Sequence, residues 1–484
     1  MNDYKSLFDE IISHLKQKNS VDVSNVVKAF KFAEEKHENQ TRKDGSPYIV
    51  HPVEVAKIIE ERDFNTDVIC SALLHDTVED CNVSIDEIRT MFNDQVAQIV
   101  DAVTAIEKDN FLPDSENIYS DTKDFLKQAL EDKTYQKLIS IGKMNKFGFY
   151  IKFADRLNNL NTIACFPKYK KEAKILETEK WLIPLAKLLK SKYFYTQLQN
   201  GCFCVRHEDD NIFFKYLEKY IENMKNYVKN MCQTLEYELD FYFKTANENK
   251  INKIIYSQKT PYEVYYSISK HYLTKNLSSV KESNFISVPL FDIYIITQED
   301  TNRELGSIYK ALEQFSLKDN FKVIGIERDI FSNASLVIKD KIRNLFNLHF
   351  LSKREYTEMQ NGTTDGTDID ALDETNSGGV DESFITVFTP QNEQIKLPEK
   401  STVLDFAFKL HSDIGFSALC AYINDSPNKS PIYTRLHNGD KINVVCQLDS
   451  NEMNQNIAEL RWLAYCKNES TQRILIKYFE RKYT

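Results

Sequence analysis

The sequence predicts a multidomain chain with an all-α N-terminal domain, an α/β domain, a small β-rich domain and C-terminal helices. Three observations predict this fold class. A chain of 484 residues exceeds what one hydrophobic core usually covers. Helical spacing of apolar residues continues to about residue 200 and gives way after residue 284 to β-branched apolar runs. A glycine-rich acidic stretch then precedes a second compact region.

The composition favours a water-soluble chain, with 28% charged residues, 42% hydrophobic residues and a net charge of −10. The sequence has no run of about eighteen apolar residues, so no membrane partner is expected. Its first residues, MNDYKSLFDEIISHLKQ, read as a charged amphipathic helix rather than a signal peptide, and a cytoplasmic location follows. The negative charge disfavours DNA as a partner but allows an anionic small molecule held by a local positive cluster or a metal.

Residues 1–200 are expected to form the helical domain. Segments such as NVVKAFKFAEEKH and DVICSALLHDTVED place apolar residues at three- and four-residue spacing. Ser84 and Glu87 have the spacing of a capping box that opens one of these helices.

The rest of the chain is expected to contain three further regions. Residues 211–275 read as long amphipathic helices, and FISVPLFDIYIIT and NFKVIGIE read as strands on either side of a helical stretch, NRELGSIYKALEQF. An α/β domain over residues 205–355 follows. Residues 356–383 are expected to be a flexible acidic linker, residues 384–447 a ββαββ-type domain, and residues 448–484 a helical segment.

His51, the adjacent pair His75 and Asp76, and Asp155 are the candidate metal ligands. Imidazoles and carboxylates form a suitable set for a divalent transition metal. Taken singly, each is weak evidence, because a histidine in a helical protein is more often packed or exposed than functional. The hypothesis requires the fold to bring all four together.

The segment LLHDTVED adds Glu79 and Asp80, each four residues after a candidate ligand, so four ionisable groups lie on neighbouring faces of one predicted helix. The apolar CSALL before them indicates that the acidic group lies where a helix leaves the core. A metal or a cationic substrate explains such a group, and the alternative is a solvated acidic helix end.

Two more clusters accompany these residues. In IKFADRLNNLNTI, Asp155, Asn159 and Thr162 share one helical face beside an apolar stripe, which indicates a buried polar site. In TRKDGSPYIVHP, Arg42 and Lys43 precede a turn, and two adjacent cations suit a polyphosphate. The alternative for this pair is ordinary solvent-facing charge.

Together, RKDGSPYIVHPVEVA, ALLHDTVED and IKFADRLNNLNT resemble, in this order, the hydrolase domain of the RelA/SpoT homologue family, over about residues 20–200. The resemblance implies an HD-type helical fold that holds one Mn²⁺. It implies roles for ten residues: metal ligands His51, His75, Asp76 and Asp155; water-activating acids Glu79 and Asp80; and nucleotide-pocket residues Arg42, Lys43, Asn159 and Thr162.

The resemblance also implies an activity. A (p)ppGpp 3′-pyrophosphohydrolase would convert ppGpp or pppGpp into GDP or GTP and pyrophosphate, in control of the stringent response. The sequence departs from the family at Asn158, where histidine is usual, and at Asn161, where arginine is common. We expect a tuned substrate preference from these departures. The alternatives are a non-catalytic nucleotide sensor and an HD phosphohydrolase that acts on other nucleotides.

Residues 205–355 occupy the place of the family's synthetase domain. The strand FDIYIIT has no arginine where the family has one, and NLHFLS replaces the Glu-x-Gln strand. Phosphoryl transfer needs such charges to position its substrates. We therefore expect a degenerate domain without synthetase activity.

Residues 384–447 resemble a TGS domain through VFTPQNEQIKLPEKSTVLDFAFKLHSDIG and LHNGD. The resemblance implies a β-grasp module that takes part in regulation, including at the ribosome with tRNA. His411 lies where TGS domains carry a helix histidine. No zinc-finger or ACT-like module follows in this sequence, so weakened or absent ribosome sensing is expected.

Overall fold

The computed structural model describes residues 4–17, 22–42, 45–108, 145–246, 251–272, 277–297, 321–328, 334–341, 344–362, 384–399, 401–424, 426–448, 456–459, 462–468, 470–472, 474–475 and 477–478. The chain divides into two compact units. Unit 1 comprises residues 1–210, 260–263 and 357–374, and unit 2 comprises residues 211–259, 264–356 and 375–484. Among the described residues, no helix is both long enough and apolar enough to cross a membrane.

Unit 1 is a bundle of helices around one hydrophobic core. A π-helical turn over Thr178–Leu182 separates two of the later helices. The helices are α1 (Tyr4–Gln17), α2 (Ser24–Lys36), α3 (Val50–Glu61), α4 (Thr66–Leu74), α5 (Thr77–Asp80), α6 (Ile85–Met91), α7 (Asp94–Lys108), α8 (Phe147–Asn161), α9 (Lys168–Glu177), α10 (Ile183–Leu188) and α11 (Lys192–Arg206).

Side-chain caps fix where two of these helices begin. The Asn65 side chain accepts a hydrogen bond from the Val68 backbone N–H at 3.1 Å and opens α4. Ser84 accepts from the Glu87 backbone N–H at 3.1 Å and opens α6 at the predicted residue. Only this half of the predicted capping box is present among the described contacts, because Glu87 Oε1 lies 3.6 Å from Lys36 Nζ. Each cap satisfies a backbone donor that has no partner inside the helix.

Unit 2 contains the long helix α12 (Asn211–Ala246) and a five-stranded sheet of order β1-β2-β5-β4-β3. Only the β2–β5 pair is parallel among the described strand pairs of this sheet. The elements are β1 (Ile251–Gln258), α13 (Pro261–Tyr272), β2 (Phe291–Thr297), β3 (Phe321–Arg328), β4 (Ala334–Asp340), β5 (Leu345–Ser352) and α14 (Lys353–Asn361), with α13 and α14 crossing the border between the units.

Three details differ from the sequence predictions. Strand β1 lies within residues 211–275, which were predicted to be helical, because its β-branched isoleucines pair antiparallel with β2. Helix α11 continues to Arg206, past the predicted boundary at residue 200. Helix α14 covers the start of the predicted linker 356–383, because Ser352 and Glu355 cap its first turn reciprocally. Residues 363–383 and the predicted helix NRELGSIYKALEQF lie outside the described residues.

The region after residue 383 has the predicted hairpin, helix and strands. Its elements are β6 (Phe384–Phe388), β7 (Gln394–Pro398), α15 (Val403–Leu410), α16 (Ser412–Ser417), β8 (Ala418–Ile423), β9 (Lys429–Pro431), β10 (Ile442–Cys446) and α17 (Trp462–Tyr465). The predicted single helix is interrupted at His411, whose backbone is extended and whose side chain accepts from the Asp413 N–H. The predicted fold class, with a helical domain, a mixed α/β region and a small β-rich domain, is confirmed.

Candidate metal centre

Three segments of unit 1 position the predicted ligands. His51 lies in the first turn of α3, the pair His75–Asp76 lies between α4 and α5, and Asp155 lies in α8. The helix predicted across LLHDTVED is therefore interrupted at the pair, where Thr77 Oγ1 donates to the Leu74 carbonyl at 2.6 Å. Because the helix is interrupted here, the side chains of His75 and Asp76 lie close together, with His75 Nε2 3.1 Å from Asp76 Oδ1.

The four predicted ligands, here called the metal-site cluster, converge and are buried. His51 Nε2 lies 3.2 Å from Asp155 Oδ1 and 3.6 Å from Asp76 Oδ2, and His75 Nε2 lies 3.1 Å from Asp76 Oδ1. One ligand atom each from His51, His75 and Asp76 lies within 4.8 Å of the others. Among the described residues this is the group of His, Cys, Asp and Glu side chains with the spacing of a metal site.

The orientation of His75 fits a metal. Its Nδ1 atom lies 2.8 Å from the Ala72 carbonyl oxygen, which can only accept, so Nδ1 carries the hydrogen. The Nε2 lone pair then points toward Asp76, and this buried nitrogen has no hydrogen-bond partner within the described part of the chain. A buried nitrogen acceptor facing carboxylates fits a cation placed between them.

The charged groups of the metal-site cluster shift the pKa values of their neighbours. Burial lowers the pKa of His51, but the hydrogen bond and charge of Asp155 and the charge of Asp76 outweigh it, and the net pKa is raised. Burial opposes ionisation of Asp155, yet the Lys152 ammonium and His51 hold the pKa of this carboxyl well below its usual range. The Asp155 carboxyl is therefore held ionised and favours a positive charge beside it.

The predicted acidic pair lies beside this cluster. Glu79 and Asp80 are exposed on α5. The Tyr48 hydroxyl lies 2.7 Å from Asp80 Oδ2 and 3.0 Å from Asp76 Oδ2. Burial and the two neighbouring carboxylates raise the pKa of Tyr48, so its hydroxyl stays protonated and can donate. Tyr48 thus connects the acidic pair to a predicted ligand.

The predicted nucleotide-pocket residues also meet. Arg42 Nη1 donates to Asn158 Oδ1 at 3.2 Å, and Nη2 donates to Asn159 Oδ1 and Thr162 Oγ1, both at 3.3 Å. Asn159 in turn donates to Asp155 Oδ1 at 2.6 Å. Lys43 lies outside the described residues.

Sequence reasoning missed several supporting residues. Glu54 accepts from Asn158 Nδ2 at 2.6 Å, and Lys152 donates to Asp155 Oδ2 at 2.8 Å. Each lies three residues from a predicted ligand on the same helix, a spacing that places side chains on one face. That spacing was the available signal.

Unit 2 carries a second buried polar group, here called the sheet cluster. Asp292 Oδ1 lies 3.6 Å from Lys259 Nζ and 3.6 Å from His349 Nε2. Asp292 pairs with Asn347 across the parallel strands β2 and β5. The carboxylate of this cluster therefore already has a cation beside it.

Two family models match the chain. A model described as HD domain matches residues 29–189, and a model described as TGS domain matches residues 385–446. The chain is therefore an HD-domain protein that also carries a TGS domain.

Two relatives indicate more closely which HD-domain proteins the chain resembles. The guanosine-3′,5′-bis(diphosphate) 3′-pyrophosphohydrolase of Aquifex aeolicus is 25% identical over 98% of this chain and 66% of its own length. The GTP pyrophosphokinase rsh of Brucella ovis is 24% identical over 86% of this chain and 57% of its own length. Over most of its length the chain is therefore similar to proteins named as ppGpp pyrophosphohydrolases and as GTP pyrophosphokinases. It spans less than two thirds of the length of these relatives.

A solved structure described as "A metazoan ortholog of SpoT hydrolyzes ppGpp and plays a role in starvation responses" also matches. It is 20% identical and covers 39% of this chain and 98% of its own, with a TM-score of 0.27. A TM-score of this size supports no argument about the present chain.

Proposed function

We propose that the chain is a Mn²⁺-dependent (p)ppGpp 3′-pyrophosphohydrolase. One observation carries the proposal: the Nε2 atoms of His51 and His75 face the carboxylates of Asp76 and Asp155 in a buried site next to the Arg42 guanidinium. Similarity to relatives named as guanosine-3′,5′-bis(diphosphate) 3′-pyrophosphohydrolases supports the substrate.

The residues of the candidate site have different roles in the proposed reaction. His51, His75, Asp76 and Asp155 would hold the cation, which when bound supplies Lewis acidity at the 3′-diphosphate. Asp80, held by the Tyr48 hydroxyl, and Glu79 accept the proton of the attacking water. The water oxygen forms a bond to the phosphorus attached to the 3′-oxygen, and the bond between this phosphorus and the 3′-oxygen breaks. The 3′-oxygen takes up a proton, so the products are pyrophosphate and GDP or GTP.

The nucleotide pocket binds the guanosine part of the substrate through Arg42, Lys43, Asn159 and Thr162. Arg42 donates to Asn159 and Thr162 on one face of α8, the helix that carries Asp155. This arrangement fixes the guanidinium plane beside the metal-site cluster, where it can stack on a base or bind phosphate. Binding at Arg42 therefore places the 3′-diphosphate near the cation.

The same proposal assigns no synthetase activity to the region over residues 205–355. In the sheet cluster, the Lys259 ammonium lies 3.6 Å from Asp292 Oδ1, and the neighbouring strand presents the amide of Asn347 rather than a carboxylate. A Mg²⁺-dependent transfer needs carboxylates free to hold the metal. The proposal also places the protein in the cytoplasm, with a ribosomal, tRNA or protein partner at the TGS domain.

The test incubates the full chain with Mn²⁺ and, separately, ppGpp, pppGpp, GTP and dGTP, and measures pyrophosphate release. We expect release from the alarmones alone and its loss in Asp76→Ala. Equal absence of release in both proteins would favour a nucleotide sensor, and release from dGTP or GTP would favour another nucleotide substrate. Incubation with ATP and GDP should give no ppGpp, and product there would contradict the loss of synthetase activity.

A further inference from the structure

Asn158 connects the two halves of the candidate site. Its side chain is buried in α8, with 5% of the residue exposed. Asn158 Oδ1 lies 2.6 Å from His51 Nδ1 and 3.2 Å from Arg42 Nη1, and Asn158 Nδ2 lies 2.6 Å from Glu54 Oε2. One neutral amide therefore contacts a candidate metal ligand, a pocket arginine and a carboxylate.

The neighbours of this amide determine which of its ends faces His51. The Arg42 guanidinium can only donate, and the Glu54 carboxylate accepts, so the amide oxygen faces Arg42 and the amide nitrogen faces Glu54. The same oxygen is the atom next to His51 Nδ1. His51 Nδ1 must therefore carry a hydrogen and donate it, which leaves the Nε2 lone pair for the cluster.

We propose that Asn158 is a positioning residue that holds His51 in its metal-binding tautomer, and that Glu54 fixes the orientation of Asn158. The proposal rests on the proposed function in that it takes His51 as a metal ligand. His75 receives the equivalent support from the backbone carbonyl of Ala72. The two imidazoles are thus held by different means, and only the support of His51 depends on a side chain that substitution can change.

The geometry also explains how pocket and metal centre are coupled. Arg42 and His51 both donate to the same amide oxygen, so a change in the Arg42 position shifts an atom that holds a ligand. Partners of metal-binding histidines orient the ring and typically change metal affinity about 10–100-fold when removed.

The test measures Mn²⁺ affinity of the full chain by titration calorimetry, with no substrate present. Asn158→Ala removes the acceptor, and we expect a Kd weaker by about 10–100-fold. Asn65→Ala is the matched control, because it removes an α4 cap in the same unit without touching the imidazoles. It should lower the thermal midpoint but leave the Kd within about twofold. An unchanged Kd in Asn158→Ala would overturn the proposal.

Exchanging the amide of Asn158 with the carboxylate of Glu54 tests whether Asn158 acts through its hydrogen bonds or only through packing. Asn158→Asp alone places two carboxylates against each other, because Glu54 Oε2 lies 2.6 Å from the substituted atom, and it should weaken Mn²⁺ binding. Glu54→Gln combined with Asn158→Asp restores a donor opposite an acceptor and keeps an acceptor at His51. We expect this pair to recover the wild-type Kd within about threefold, and a folded pair without recovery would contradict the assigned tautomer.

These measurements are independent of hydrolysis. A wild-type chain that binds Mn²⁺ but releases no pyrophosphate from ppGpp would contradict the proposed function, while the four variants would still decide the role of Asn158. A folded wild-type chain that binds no Mn²⁺ would overturn both.

Discussion

The metal-site cluster and the sheet cluster differ in the charged groups that surround their carboxylates. In the metal-site cluster, the carboxylates of Asp76 and Asp155 face two imidazole nitrogens, and Lys152 Nζ lies 2.8 Å from Asp155 Oδ2. In the sheet cluster, Asp292 already lies between Lys259 and His349. The metal-site cluster therefore combines two carboxylates with two imidazoles, whereas the sheet cluster has one carboxylate with a lysine and one imidazole beside it.

This difference indicates how a buried metal site can be distinguished from a buried ion pair. Burial of an ionised group requires a compensating charge or hydrogen bond nearby. In the sheet cluster the Lys259 ammonium supplies part of this compensation, whereas in the metal-site cluster we expect a bound cation to add to the charge of Lys152. Residue types alone do not separate the two, since both contain aspartate and histidine.

The largest contrast is expected from one identical substitution in each cluster. Asp155→Asn removes a charge from the metal-site cluster, and we expect Mn²⁺-dependent pyrophosphate release to fall on the order of 10³-fold, because Lewis-acid stabilisation is worth several kcal/mol. Asp292→Asn is the control in the sheet cluster and should change release by about twofold or less. The measurement is steady-state release from ppGpp, and a comparable loss in both variants would remove the distinction between the clusters.

A smaller contrast is expected from the two tyrosines that contact these clusters. Tyr48→Phe removes the hydroxyl that lies 2.7 Å from Asp80 and 3.0 Å from Asp76. Hydrogen bonds to charged groups contribute about 1.5–3 kcal/mol, so we expect kcat to fall about 10- to 100-fold with little change in KM.

Tyr294→Phe is the matched control, since its hydroxyl lies 3.4 Å from Asp292 Oδ2 in the sheet cluster. Its kcat for ppGpp should stay at the wild-type value. An unaltered kcat in Tyr48→Phe would show that the acidic pair needs no support from this hydroxyl.

The sequence predicted those parts of the site that depend on local spacing. Asp155, Asn159 and Thr162 recur on one face of a helix, and the His75–Asp76 dipeptide is adjacent in the chain, so both groups could be recognised. The Arg42 contacts join residues more than one hundred positions apart, and no periodicity encodes such pairings.

Strand β1 shows the same limit for the fold. Its segment, INKIIYSQ, follows a 36-residue helix and has no strict alternation of apolar and polar residues. Its conformation depends on pairing with β2, whose partner residues lie about forty positions later. The helical domain, by contrast, was predictable because its apolar residues repeat within each helix.

The smallest contrast concerns how each cluster is anchored by an ion pair. Arg156, next to Asp155 on α8, donates to Glu177 Oε1 at 2.6 Å, whereas Lys259 and Asp292 lie 3.6 Å apart. Burial alone would raise the pKa of Glu177, but the charge and hydrogen bond of Arg156 outweigh it and the net pKa is lowered. A lowered carboxyl pKa stabilises the fold above the unfolded value of 4.5, and this stabilisation is lost as the pH falls through the folded value.

Glu177→Gln should therefore reduce the free energy of unfolding of unit 1 by about 1.5–3 kcal/mol at pH 7, and the difference from wild type should shrink as the pH falls below 4.5. Trp462→Phe in both proteins leaves Trp181, which is buried in unit 1, as the fluorescent reporter for urea unfolding. A difference that stays constant down to about pH 3 would mean that Glu177 acts by packing, and that the anchoring of α8 does not depend on its charge.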